Sequence, residues 1–376
     1  MNKWQLPEGI DELTGSQAVT FEAIRRNLLD LYQSWGYELV VPPMVEYVES
    51  LILTSDSVDQ KTFKFLDPCS GRMLGVHADI TPQISRIDSK HSTNGGVDRY
   101  CYINAILQTK ADDFYASRSP IQAGAELYGF KGVEADIEVI EMMISSLSIL
   151  GIEDLTLSLG NTSIFNALTE AAKLDSETIS ALRDIFKRKS IPDLSIFLEQ
   201  NAIPEGERFK ALISLEGDAS VLTIAKKLFL DLPNVLEAVD VLVKLSTVFS
   251  ERNVELMFDL GEVKAYEYHK GVVFAAYHAD FSKALAQGGR YNGLGQSFGA
   301  VSRDATGFSL DLKYLIQQQP NTKFSPRTLL APNTNDASLK AFVQGLRSQG
   351  VIVKQDIENS NNVDIVKSEN EWIIKD

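Results

Sequence analysis

The chain has 376 residues, 44% hydrophobic and 23% charged, with a net charge of −15. That length calls for two or three folding units, and that balance of apolar and charged residues excludes wholesale disorder. The negative charge repels phosphate, and without a local basic stripe it argues against a nucleic-acid surface.

Phe21, Ile24, Leu28, Leu31 and Trp35 recur at three- and four-residue steps, so a helix is predicted over 16–35, with Ser16 as N-cap and Gly36 as its stop. Residues 37–41 then read as a strand. Pro42 and Pro43 end it, which suits an edge position. This helix and strand suit either core packing or a subunit interface. A hairpin is predicted over 62–78, turning at 67–71, and a helix from Pro82. Two long strands are expected at 98–109 and 119–130, joined by a polar, mobile segment at 110–118. A helix at 133–150 and a strand at 154–159 follow. Residues 162–250 read as short helices broken by Pro192, Pro204 and Pro233, an inserted helical subdomain. Strands resume at 254–258, 265–269 and 272–278. A loop is predicted over 288–293, then a strand and helix over 304–318. Beyond the linker at 317–321, the last residues alternate strand, helix, strand, strand, as in a small α/β domain. The fold expected is α+β: an antiparallel sheet flanked by helices over residues 1–316, with the insertion at about 162–250, and a small domain at 322–376.

Cys69, Cys101 and four histidines form no CxxC or HxxxH pattern, so no metal and no disulfide framework is expected, and a reducing compartment is. The first ten residues lack the apolar core of a signal peptide, and no apolar run approaches the ~20 residues of a membrane span. A cytoplasmic, unanchored protein is the expectation.

Four polar clusters fall on or beside predicted strands: residues 79–83, Gln122 with Glu126, residues 266–269, and residues 288–291. Gln122, Gly124 and Glu126 share one strand face, and a glutamine beside a glutamate suits a small cationic or imidazole-bearing ligand. Each cluster also has a bland reading. Gln122 and Glu126 could lie on an exposed strand face, and Tyr266 and Tyr268 could pack across strands. His269 could be structural. Gly288 and Gly289 could serve a turn rather than a phosphate.

The order of these clusters resembles the class II aminoacyl-tRNA synthetase fold, and histidyl-tRNA synthetase in particular, over roughly residues 5–315. The helix and strand ending at Pro42 resemble the first motif, which builds that family's dimer. Residues 79–83 and 122–126 resemble its amino-acid-binding segments, residues 266–274 its histidine-specific segment, and residues 288–294 with 306–308 its loop and third motif. The departures lie on the nucleotide side. Gln108 stands where the family grips the ATP α-phosphate with arginine, Tyr314 where an arginine stacks on adenine, and Lys264 where a catalytic arginine opens the histidine segment. The loop after Gln108 keeps only Arg118. Arginine's planar fork is not replaced by these side chains, and losing groups aimed at transition-state charge costs orders of magnitude in rate.

A chain with the amino-acid pocket kept and the nucleotide pocket lost is similar to the ATP phosphoribosyltransferase regulatory subunit family, the synthetase paralogue acting at the first step of histidine biosynthesis. The resemblance implies no catalytic residue and no cofactor. It implies L-histidine as effector, held by Asp79, Thr81, Gln122, Glu126, Tyr268 and His269, with Lys264 or Arg118 on its carboxylate. It implies a dimer through the first-motif helix and strand, and assembly with a short catalytic subunit, commonly as a hetero-octamer, that the chain activates and makes sensitive to histidine. No tRNA is expected as partner. The alternatives are an active histidyl-tRNA synthetase and a histidine-binding scaffold with another partner.

Overall fold

In the computed structural model, residues 4–52, 56–91, 96–111, 116–263, 269–299, 301–318, 328–358, 360, 362–369 and 371–375 are described. The chain divides into two compact units, Met1–Leu13 with Phe21–Thr322, and Thr14–Thr20 with Lys323–Asp376.

Helix α1 (Gly15–Ser34) begins one residue before the expected cap, so Ser16 lies inside it rather than capping it. It buries Ile24, Leu28 and Tyr32 on one face and stops at Gly36, whose φ of +82° is open to glycine without strain. Strand β1 (Glu38–Leu39) is shorter than the predicted 37–41 and lies at one edge of the main sheet. Pro42 has no N–H to continue the ladder. Then come β2 (Val45–Tyr47), the short helices α2 (Val48–Leu51) and α3 (Asp56–Lys61), and the hairpin β3 (Phe63–Leu66) and β4 (Met73–Val76). Strands β2, β4 and β3 form a separate small sheet. Helix α4 (Thr81–His91), β5 (Asp98–Ala105), β6 (Ile121–Tyr128), α5 (Val133–Ile149) and β7 (Leu155–Asn161) match the predicted order.

The stretch read as an insertion holds α6 (Thr162–Ala171), α7 (Ser176–Arg188), α8 (Ile191–Asn201), α9 (Gly206–Ile213), the two-residue β8 (Glu216–Gly217), α10 (Ser220–Leu228) and α11 (Pro233–Phe249). Its caps are legible in sequence: Asn161, Asp175 and Ser190 each accept a backbone N–H at a helix start. Its Phe165, Phe186 and Phe209 meet edge to face and belong to the same apolar core as Phe308 and Phe274 of the sheet.

Strands β9 (Val254–Asp259), β10 (His269–Tyr277), β11 (Ala286–Asn292) and β12 (Asp304–Asp311) complete the main sheet, and α12 (Leu312–Gln318) follows. The order is β1-β5-β6-β12-β11-β10-β7-β9-β8; the β1–β5 and β7–β9 pairs are parallel and the other neighbours antiparallel. Residues 288–292, expected in a loop, are strand. Gly288 and Gly289 are there because strands pack closely at that point: a Cβ on Gly288 would lie 2.1 Å from the carbonyl oxygen of Gly307, and one on Gly289 2.8 Å from that of Val272.

In the second unit β13 (Thr328–Pro332) and β14 (Ile352–Asp356) are parallel, joined through α13 (Ala337–Ser348), and β15 (Ile365–Ser368) pairs with β16 (Glu371–Ile374). Its own core gathers Leu329, Ala331, Leu339, Val343, Val353 and Ile365. Among the described residues no helix is long and apolar enough to cross a membrane.

Candidate functional site

Strand β6 alternates. Ala123, Ala125 and Leu127 enter the main core, and Gln122, Glu126 and Tyr128 face the other way. Opposite Glu126 stands Gly307 of β12, and beyond it Gly289 of β11. The glycines leave room for the carboxyl: a Cβ on Gly307 would fall 1.6 Å from Glu126 Oε2. Glu126 is 2% exposed. Its Oε1 accepts from Thr81 Oγ1 at 2.9 Å and Tyr102 Oη at 3.3 Å, and its Oε2 from Tyr291 Oη at 2.9 Å. Tyr291 Oη is in turn 2.8 Å from Tyr128 Oη. Burial pushes the Glu126 carboxyl up to about 8, against the hydrogen bonds of Thr81 and Tyr291, and nearby Asp79 adds to the rise.

Asp79 ends the turn before α4, and its Oδ1 accepts from Gln122 Nε2 at 2.8 Å. The Gln122 carbonyl oxygen takes the Ile80 N–H at 3.0 Å, so the amide has one orientation. Asp79 Oδ2 is buried without a hydrogen-bond partner. Such an oxygen is costly to leave unpaired. Among the described residues neither Asp79 nor Glu126 pairs with an arginine or lysine. The last residue of the 79–83 cluster turns away from this pair. Gln83 Nε2 donates to Pro43 O at 2.7 Å and Glu46 Oε1 at 2.8 Å, tying the start of α4 to β2.

Asp79 and Gln122 line a cleft of about 570 Å³. Gln108, Lys283, Asp311 and Tyr277 also line it, and Asp311 lies opposite Gln122 on the neighbouring strand. Gln108 donates to the Ala78 carbonyl at 3.1 Å. Lys283 Nζ sits 3.8 Å over the ring of Tyr314, the residue standing where an adenine-stacking arginine was expected. Burial raises the Asp311 carboxyl, opposed by the Tyr314 N–H and the Lys283 charge.

Of the six residues expected to bind histidine, Asp79 and Gln122 meet on the cleft wall. Thr81 and Glu126 bond to each other behind it and do not line it. Tyr268 lies outside the described residues, as do Lys264 and the side chain of His269; the backbone of His269 opens β10. Arg118, a candidate for the ligand carboxylate, is engaged elsewhere, donating to Glu8 O at 2.9 Å and Gln108 O at 3.1 Å. Arg290, read as a possible phosphate ligand, points to the helix side and pairs with buried Asp136 of α5 at 2.7 Å. Tyr102 and Tyr291 hold Glu126, and burial raises both hydroxyls well above the ordinary tyrosine range. Tyr291 belongs to the 288–291 cluster, but its role at Glu126 was not read, and Tyr102 was missed; its signal in the sequence was parity with Tyr100 on β5. Among the described residues no group of three possible metal ligands gathers.

A threonine, a glutamine, two carboxyls and tyrosine hydroxyls thus form one buried cluster, and of its members Asp79 and Gln122 face the cleft, a pair suited to a small cationic or imidazole-bearing molecule.

The histidyl-tRNA synthetase family model matches residues 9–315. The ATP phosphoribosyltransferase regulatory subunit of Thioalkalivibrio sulfidiphilus is 43% identical over 94% of this chain and 91% of its own length. That of a Marinomonas species is 39% identical over 95% and 93%. Among solved structures, a protein described as an ATP phosphoribosyltransferase regulatory subunit/histidyl-tRNA synthetase from Bacillus halodurans superposes with a TM-score of 0.83 at 24% identity, covering 96% of this chain and 94% of that one. Histidyl-tRNA synthetase from a Nostoc species gives 0.77 at 16%, covering 95% and 86%. The structures establish the fold, and the sequence relatives establish the kind: this chain belongs to the ATP phosphoribosyltransferase regulatory subunit family, built on a histidyl-tRNA synthetase-like frame.

Proposed function

We propose that this chain, a regulatory rather than a catalytic subunit, binds L-histidine in its cleft against Asp79 and Gln122 and passes that occupancy to the short catalytic subunit of ATP phosphoribosyltransferase. The observation that carries the reading is the buried, unpartnered Asp79 Oδ2 beside Gln122, next to Glu126 in its box of hydroxyls. Asp79 and Thr81 would take the ammonium, Gln122 and Glu126 the amino or imidazole end, and Tyr268 and His269 the side of the ring. With Arg118 engaged elsewhere, Lys264 is the remaining candidate for the carboxylate. Reaching Glu126 requires the ligand to replace one of the hydroxyls on it, Thr81 or Tyr291. An arriving cation favours the ionised form of a buried carboxyl and is favoured by it.

Occupancy of the pocket would shift the complex toward a less active state. A coupling of ~1–3 kcal/mol corresponds to roughly 5–150-fold in a partner's ligand affinity. Self-association would use α1 and β1. The free edge of β1, with Leu39 and Val41 exposed, supports that reading.

Two measurements decide. Calorimetry with L-histidine should give binding to the wild type and a loss of at least ten-fold in Glu126→Ala; equal affinity in the variant removes Glu126 from the site. Phosphoribosyl transfer by the short catalytic subunit should rise when this chain is added and fall again with histidine. No response to the chain would end the partner assignment.

A further inference from the structure

The segment Glu8–Asp11 is strapped across residues 116–119. Arg118 N donates to Gly9 O at 2.7 Å and Arg118 Nη1 to Glu8 O at 2.9 Å. Gly9 has a φ of +71°, which favours glycine, and a Cβ there would press on the Arg118 side chain, 2.8 Å from its Cδ. Asp11 is the knot. Its carboxylate accepts from Ser117 Oγ, from Ser119 Oγ at 3.3 Å, from Lys313 Nζ at 3.0 Å and from Gln317 Nε2 at 2.7 Å. The Lys313 side chain is only 5% exposed, and its other partners are the Asp11 carbonyl at 3.3 Å and Ser119 Oγ at 2.9 Å. Asp11 is thus the counter-charge of a buried ammonium and cannot be removed without loss. Burial works to raise the Asp11 carboxyl, but the bonds from Ser117, Gln317 and Lys313 outweigh it and hold it below the ordinary range.

Asp11 does not line the cleft, whereas Ala116, Ser117 and Pro120 do. We infer that Asp11 is a positioning residue for the ligand cleft: by holding Ser117 and Ser119 against Lys313 it fixes the 116–120 wall before a ligand arrives. A wall already ordered asks no conformational entropy of the binding event. A wall released from Asp11 must be ordered by the ligand, which weakens binding. The affinity part rests on the histidine reading above; the fixing of the wall does not.

The test compares wild type, Asp11→Asn and Asp11→Asn/Lys313→Met by calorimetry with L-histidine and by hydrogen exchange of the segment holding the Arg118 amide. The double variant removes both charges, so a buried ammonium left alone is not what it reports. Both variants are expected to exchange faster at 116–119 and to bind histidine roughly ten-fold more weakly, with the double variant regaining thermal stability but not affinity. Unchanged exchange in both variants overturns the inference, as does faster exchange with unchanged affinity, or affinity restored together with stability in the double variant. Should wild type bind no histidine, the ligand reading falls by itself, and the exchange comparison still decides whether Asp11 holds the wall.

Discussion

Behind the cleft wall at Asp79 and Gln122 the polar groups are buried and almost all are paired, with tyrosine and threonine hydroxyls around one carboxyl and a glutamine amide against another. Around Lys283 and Tyr314 they are half-exposed, and the lysine rests on the ring of Tyr314 where arginine was expected to meet a nucleotide base. The difference is one of replaceability. Removing one member of a buried hydrogen-bonded network leaves its direct partners unsatisfied, at about 1–3 kcal/mol each. Half-exposed side chains can be exchanged one at a time with little harm to folding. The buried cluster is therefore part of the core, whatever it binds, and the residues around Lys283 are not.

That contrast can be broken most severely beneath the buried cluster. Arg290 ties β11 to Asp136 of α5 under the glycine row that accommodates Glu126. Arg290→Met leaves a buried carboxylate unpaired and should cost about 3–5 kcal/mol, visible as a lowered midpoint in thermal or denaturant unfolding; a change below about 1 kcal/mol would mean the pair behaves as a surface bridge.

Next in size is a matched pair of substitutions on one cleft. Asp79→Asn removes a charged acceptor worth about 1.5–3 kcal/mol, so histidine affinity should fall roughly 10- to 150-fold. Lys283→Met, beside Tyr314, should change it less than about two-fold. Equal losses in calorimetry would show that the ligand spans the whole cleft.

The last prediction is a slope with pH. Folded Glu126 holds its proton more tightly than the ordinary value of 4.5 allows, so its contribution to stability is complete below that pH and is lost as the pH rises toward about 8. Glu126→Gln should flatten the fall of the unfolding midpoint between about pH 5 and 8; an unchanged profile would place the proton elsewhere.

Element order and type were legible because they depend on local pattern. The spacing of Ile24 and Leu28 and the parity of Gln122 and Glu126 are written within a few residues, whereas the caps Asn161, Asp175 and Ser190 went unread and the cap expected at Ser16 lies inside α1. The absence of arginine at Gln108 and Tyr314 can be read from the sequence, and that it marks a lost nucleotide site is what the resemblance implies. Residues 288–292 were misread because Gly288 and Gly289 suggest a turn until the carbonyls of Gly307 and Val272 crowd them from neighbouring strands. Arg290 invited a phosphate reading for the same reason: which face a strand residue takes depends on the register of the sheet.

By itself, the sequence determined the class of the fold, its acidic surface, and which two carboxyls and which glutamine would share a region. Only the tertiary structure decided that Thr81 and Tyr291 occupy Glu126, that one oxygen of Asp79 is left over, that Arg118 is tied to Glu8, and that Asp11 guards the cleft from outside it. Those are pairings between residues tens to hundreds of positions apart. They follow from how strands register and from the demand that buried polar groups find partners, and neither is encoded in a local stretch of chain.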